Sequence, residues 1–196
     1  MTDPQSTKPP PPPLELQPPA TVSELLDYWA EDYRAHERDW TRPGFMAVAL
    51  HRFGNYRMHV QRPWRMPLTA IYRVLYVYVR NHMGVELPFS AKIGRRVVIE
   101  HQGAIVIHGC TEIGDDSIIR QGVTMGNRRL DQPYDAPILG KRVNVGAGAK
   151  LLGKIRVGDG ANIGANAVVL QDVPAGGIAA GVPAVSRSRG EREPPP

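Results

Sequence analysis

Residues 145–169 read VGAGAKLLGKIRVGDGANIGANAVV. An aliphatic residue returns at every sixth position, as Val145, Leu151, Val157, Ile163 and Val169. A helix repeats at 3.6 residues and a strand at two, so neither produces this period. Six residues describe a short strand followed by a tight turn. Three such units close a triangular coil, and stacked coils bury one aliphatic side chain per wall. Glycine or a small residue supplies the corners, where a left-handed backbone conformation costs least.

The same phase extends toward the N-terminus. Leu87, Ile93 and Ile99 form one run, Ile107, Ile113, Ile119 and Met125 a second, and Leu139 opens the third. The expected fold is therefore mainly β, a parallel β-helix of hexapeptide repeats over residues 84–185. Before it, residues 21–83 read as a small α-helical region. Thr21 and Glu24 form a capping-box pattern ahead of LLDYWAEDY. Residues 45–58 suit a second helix, and residues 68–83 a third, with breaks at Pro43-Gly44 and between Pro63 and Pro67. In the third helix Leu68, Ile71, Tyr72, Leu75 and Val79 share one face. Residues 1–20, with prolines 9–13, and residues 186–196 read as disordered tails.

The chain has 196 residues, a net charge of +5 and a pI near 9.6. A basic balance favours an anionic partner, but no nucleic-acid motif accompanies it. Arg57, Arg62, Arg65, Arg73 and Arg80 make peripheral membrane contact through the basic helices an expectation beside plain packing on the next domain. The single cysteine, Cys110, excludes an intrachain disulfide and a cysteine-based zinc site. The first residues lack the apolar core of a signal peptide, and no stretch nears the length of a membrane span, so a cytoplasmic location is expected.

In combination, IGRRVVIEHQG, IRQGVTMGN, GAGAKLLG and VVLQDVPAG resemble the hexapeptide-repeat acyltransferases. The resemblance is closest to serine acetyltransferases and to exopolysaccharide acetyltransferases of the colanic-acid type. It covers residues 84–184. It implies a left-handed β-helix, a homotrimer or dimer of trimers, and acetyl-CoA bound between neighbouring subunits, with no metal.

The ladder slips twice. Ile99 and Ile107 are eight apart, and Glu100-His101 falls in that interval. Met125 and Leu139 are fourteen apart, so residues 127–137 should loop out. Interruptions of a repeat are where binding surfaces usually sit. An alcohol needs a base to attack a thioester at neutral pH, and an imidazole suits that task. His101 is the candidate base. By the resemblance, Glu100 and Glu86 stand where the family carries aspartates, Glu86 as the orienting carboxylate. His108 lacks such support.

The resemblance also places Ala147 and Ala165 along the cofactor tunnel and Gly126 near the thioester. Lys150, with Lys154, Arg156, Arg187 and Arg189, could meet phosphates. Serine acetyltransferases hold the amino-acid carboxylate with an arginine-histidine pair before a proline in the looped-out segment. Here Asp135-Ala136-Pro137 occupies that place, and Arg128 or Arg129 would have to substitute. That departure favours a sugar hydroxyl of an exopolysaccharide precursor as acceptor, with L-serine as the alternative. Three other readings have less behind them. A β-helix carbonic anhydrase needs three zinc-binding histidines, but the repeat has only His101 and His108. A ping-pong route would use Cys110, and a non-catalytic scaffold would leave the Glu100-His101 slip unexplained.

Overall fold

The computed structural model describes Leu14 and residues 16–188. The proline run 9–13 and residues 189–196, with Arg189, lie outside the described residues. The described chain already packs ahead of the first helix, where the Tyr28 hydroxyl donates to the Gln17 carbonyl at 2.5 Å.

Three helices come first: α1 (Val22–Ala35), α2 (Pro43–His59) and α3 (Arg65–Tyr78), the last continued by a π-helical turn, Val79–Met83. The Thr21–Glu24 capping box forms as expected, each side chain accepting from the other's backbone N–H. Pro43 does not break a helix but starts one. Its missing N–H is no loss in a first turn, and the same holds for Pro67, the third residue of α3. The apolar face of α3 also differs from expectation. Tyr72 and Val79 are buried, whereas Ile71 and Leu75 face outward.

Fifteen strands follow, fourteen of them in five coils. The first coil holds β1 (Val85–Glu86), β2 (Lys92–Ile93) and β3 (Val98–Glu100). The second holds β4 (Ile105–Ile107), β5 (Glu112–Ile113) and β6 (Ile118–Arg120). The third holds β7 (Thr124–Gly126), β8 (Ile138–Leu139) and β9 (Asn144–Val145). The fourth holds β10 (Lys150–Leu152), β11 (Arg156–Val157) and β12 (Asn162–Ile163). The fifth holds β13 (Val168–Val169) and β14 (Ile178–Gly181), with Val173 bridging to Val157 on the wall between them. An antiparallel strand, β15 (Ala184–Arg187), pairs with β14 and closes the end. Every third strand stacks in parallel, so β1-β4-β7-β10-β13 form wall A, β2-β5-β8-β11 wall B, and β3-β6-β9-β12-β14 wall C.

All thirteen in-phase aliphatic residues of the sequence are buried in the column between the walls. Two further members, Val173 and Ala179, complete the fifth coil. They escape the six-residue count because Val173 follows Val169 by only four positions. Removing one such side chain from water is worth about 2 kcal/mol.

The first coil has no coil before it, so its backbone groups need other partners. The helices provide them. His51 Nε2 donates to the Ala91 carbonyl at 2.8 Å. Arg52 donates to the carbonyls of Ile93 and Gly94 at 2.9 and 2.6 Å. The Ile99 N–H donates to His36 Nε2 at 3.3 Å. Asp32 secures both tools: its carboxylate pairs with Arg52 at 3.0 Å, and its carbonyl accepts from His36 Nδ1 at 2.7 Å. Gly44 lets α2 approach, since a Cβ there would sit 2.0 Å from the Ile99 carbonyl oxygen.

This polar layer generates two predictions. Asp32 and Arg52 are both fully buried, so Asp32→Ala strands a buried guanidinium and should cost about 3–5 kcal/mol in chemical denaturation. Burial also depresses two imidazoles: that of His51 lies at about 3, and that of His36 lies below its ordinary 6.5. The unfolded chain then takes up protons that the folded one refuses. Stability is full above pH 6.5 and falls as pH drops below it. The melting temperature should decline between pH 6.5 and 5, above the range where carboxylates titrate, and His36→Gln should flatten that decline.

Candidate active site

The strand register locates the first slip to the residue. Glu100 stays in the ladder, paired with Arg120. The Gly103 carbonyl then accepts from the Gly122 N–H at 2.8 Å, as Gln121 does from Gly148 and Ala147 from Asn166. Gly103, Gln121, Ala147 and Ala165 therefore stack in one column along the edge between walls C and A. The two residues without a rung are His101 and Gln102. They bulge from that edge, both exposed, and His101 takes φ +62°. A bulge re-aims a side chain away from its wall, and a histidine in the left-handed region is an observation that invites a functional reading.

Glu100 does not contact His101. It pairs with Arg120 at 2.8 Å, and Arg120 in turn donates to the Asn144 side chain, which donates to Asn162 at 3.2 Å. These residues form a polar stripe down wall C that the sequence alone did not reveal. Among the described residues, His101 makes no hydrogen bond or ion pair through its ring. Glu86 lies on β1, two residues after Gly84, and Gly84 packs against Gly103 and Ala104. Glu86 itself pairs with Val106, and no hydrogen bond or ion pair joins it to His101 among the described residues. It is also felt by Tyr76, whose phenol is pushed up to about 12 by burial and then by Glu86.

Wall A carries the rest. Glu86, Val106, Thr124, Lys150 and Val168 form one outward row across five coils. Lys150 does not extend away from the wall. Its ammonium donates to the Gly122 carbonyl at 2.5 Å and the Thr124 hydroxyl at 3.1 Å. Ala147 is half-buried and Ala165 exposed on the same edge as His101, two and three rungs below Gly103, or about 10 and 14 Å at strand spacing. Their neighbours leave no room for bulk: a Cβ on Gly146 would meet the Ala165 nitrogen at 2.6 Å. The result is a smooth strip along which a long, slender arm can lie.

The second slip opens on the opposite edge, between walls A and B. There Gly126 faces His108, and Arg128 lies over Gly153. Arg129 is held by Asp131 at 2.8 and 2.9 Å. Arg128 makes no ion pair among the described residues. Ala136 is buried, whereas Leu130 and Tyr134 at the loop tip are 95% and 81% exposed. The structure therefore divides the sequence-derived residues. His101, Ala147 and Ala165 lie on one edge of wall A, and Gly126, Arg128 and Arg129 on the other, about 10 Å across a three-residue strand. Cys110 is on the side away from His101, its N–H donating to His108 Nδ1 at 3.2 Å.

Comparison with known proteins bears on the family and the fold. Residues 136–171 match the family described as bacterial transferase hexapeptide (six repeats). Over 142 residues the chain is 44% identical to a serine acetyltransferase of Helicobacter pylori strain J99, covering 72% of this chain and 80% of that protein. The chain belongs to the serine acetyltransferase family. It is an acyltransferase, and its β-helix is left-handed. A truncated serine acetyltransferase apoenzyme superposes with a TM-score of 0.72 at 32% identity, covering 85% of this chain and 71% of that one. A serine acetyltransferase in complex with CoA gives 0.69 at 31% identity, with the same coverage.

The bulge allows the fold's need to be tested apart from a catalytic role of the imidazole. Glycine accepts the left-handed conformation that costs other residues about 1–2 kcal/mol, less what it loses in chain entropy. His101→Gly should therefore melt within a few degrees of the parent, while acyl transfer falls by about 10²–10⁴.

Proposed function

We propose that this chain transfers the acetyl group of acetyl-CoA to the hydroxyl of L-serine, with His101 as general base and no covalent enzyme intermediate. The observation that carries the reading is the two-residue bulge that puts an unpartnered imidazole on the edge lined by Ala147 and Ala165. The names of the relatives support serine over the sugar hydroxyl that the loop sequence favoured. The product would be O-acetylserine, a precursor for cysteine.

His101 takes the acceptor proton as the hydroxyl oxygen attacks the thioester carbonyl, and returns it to the departing thiolate. The net change is one ester bond formed and one thioester bond broken. Glu86, on β1, steadies the imidazolium once the ring turns toward it. Ala147 and Ala165 line the pantetheine arm with small side chains. Lys150 fixes the Gly122 corner and leaves its charge close to the row it joins. Direct transfer agrees with the position of Cys110, which faces the other edge.

A second copy completes the site. The division of residues between the two edges of wall A supports this, because the loop edge of one subunit can face the His101 edge of the next. Arg128, the loop's free cation, would then meet the acceptor carboxylate, while Arg129 stays paired with Asp131 and Glu100 borders the acceptor through Arg120. Exposed Leu130 and Tyr134 suit burial in such a contact.

Release of CoA thiol from acetyl-CoA, with L-serine and a panel of sugars as acceptors, tests the reading. Serine-dependent release should appear in the parent and fall by about 10²–10⁴ in His101→Ala. Release with sugars alone would overturn the serine assignment and make the buried, uncharged Ala136 the reason.

A further inference from the structure

The outward side of α3 is apolar without interruption. At 100° per residue, Met66, Ala70, Val74, Val77, Tyr78 and Ile71 span one arc opposite the buried Tyr72 and Val79. Val74 is 71% exposed and Met66 67%. A helix that packs one side on a domain normally turns a polar side to water, and α3 does not. The arc continues into an open apolar trough of about 550 Å³ between α2 and α3, bordered by Trp40, Phe45 and Leu75. Trp40 on its lining and Trp64, just ahead of α3, are both exposed.

The charge around this surface is of one sign. From Trp40 to Val85 the chain holds seven arginines and no aspartate or glutamate. Three have partners inside the protein. Arg42 pairs with Glu37, Arg52 with Asp32, and Arg57 lies over the rings of Tyr72 and Phe89. Arg62, Arg65, Arg73 and Arg80 form no ion pair among the described residues. Arg73 and Arg80 flank one border of the apolar arc, and Arg62 lies just before α3 begins.

We infer that the outer face of α3 docks on the surface of an anionic phospholipid bilayer. Apolar side chains enter the boundary between headgroups and acyl chains, the tryptophans and Tyr78 sit at that depth, and the arginines meet lipid phosphates. A second copy of the chain fits this surface less well. A twofold contact across α3 would set Arg62, Arg73 and Arg80 against their own equivalents with no carboxylate between them. No helix of the described residues is long and apolar enough to cross a membrane, so the contact is peripheral.

Co-sedimentation of the full chain with vesicles tests this. Phosphatidylcholine vesicles with about one-third phosphatidylglycerol should retain the protein at least tenfold better than pure phosphatidylcholine, with the difference shrinking in high salt. Val74→Glu places a charge at an exposed position far from His101, so melting temperature and acetyl transfer should stay unchanged while vesicle binding drops at least tenfold. Arg73→Glu with Arg80→Glu should weaken binding to the anionic vesicles alone. Absence of binding to anionic vesicles would overturn the inference. So would binding that Val74→Glu leaves intact. A fall in oligomeric size in Val74→Glu without any vesicle binding would overturn it too, and would assign the face to contacts between copies.

Discussion

The column inside the coil takes an apolar side chain at the same strand position of each wall at each level, and the rest of the β-helix is arranged around that requirement. Fifteen such residues line it, from Leu87 at the top to Ala179 at the bottom, and buried residues two positions before them, among them Val85, Ile105 and Val123, fill the remaining space. A wall cannot take an extra residue without turning an aliphatic side chain outward and a polar one inward. Additional residues can therefore be accommodated only at the corners. Both departures from the six-residue period obey this. His101-Gln102 leaves at the edge between walls C and A, and residues 127–137 leave at the edge between walls A and B. A constraint of packing thus determines where a functional group can stand clear of the wall.

The top of the column raises a different problem. A stack of parallel strands ends in unpaired carbonyls and amides, and burying them unpaired would cost more than most single contacts return. The helices meet this need with His36, His51 and Arg52, the first and last of them held by Asp32. The arrangement also links the helical region to the site. Ile99, whose N–H is received by His36 and whose carbonyl lies against Gly44, is the second residue before His101. The cap therefore holds the strand from which the bulge departs. A buried ion pair such as Asp32–Arg52 adds little net stability compared with apolar packing, but it selects one docking of α1 and α2 on the coil.

Wall A gathers the two edges into one working surface. Its outward row runs from Glu86 through Thr124 to Lys150, with the imidazole on one border and the looped-out cations on the other. Within one chain these borders do not meet. The proposed reaction needs base, thioester and acceptor together, which is why subunit contact enters the functional reading.

The period, and with it the fold, was legible in the residues alone. Thirteen aliphatic positions in phase named nearly the whole column, because burial in a narrow prism demands the same residue class at the same spacing. The sequence also marked both interruptions, and so the candidate base and the loop. It could not say which two residues leave the ladder, since Glu100 and Gln102 flank His101 equally until strand pairing assigns Glu100 to Arg120. It could not anticipate the buried roles of His36, His51 and Arg52, which lie 40 to 63 residues before the backbone groups they serve and follow no period, or of Asp32, which holds two of them. Nor could it fix the sides of α3. Helical spacing defines a stripe, but only the docking of Tyr72 and Val79 onto the domain decided that Ile71, Val74 and Val77 face outward. Tertiary structure settles such questions because hydrogen-bond partners and helix orientation depend on which surfaces meet, and local sequence encodes only which surfaces are available.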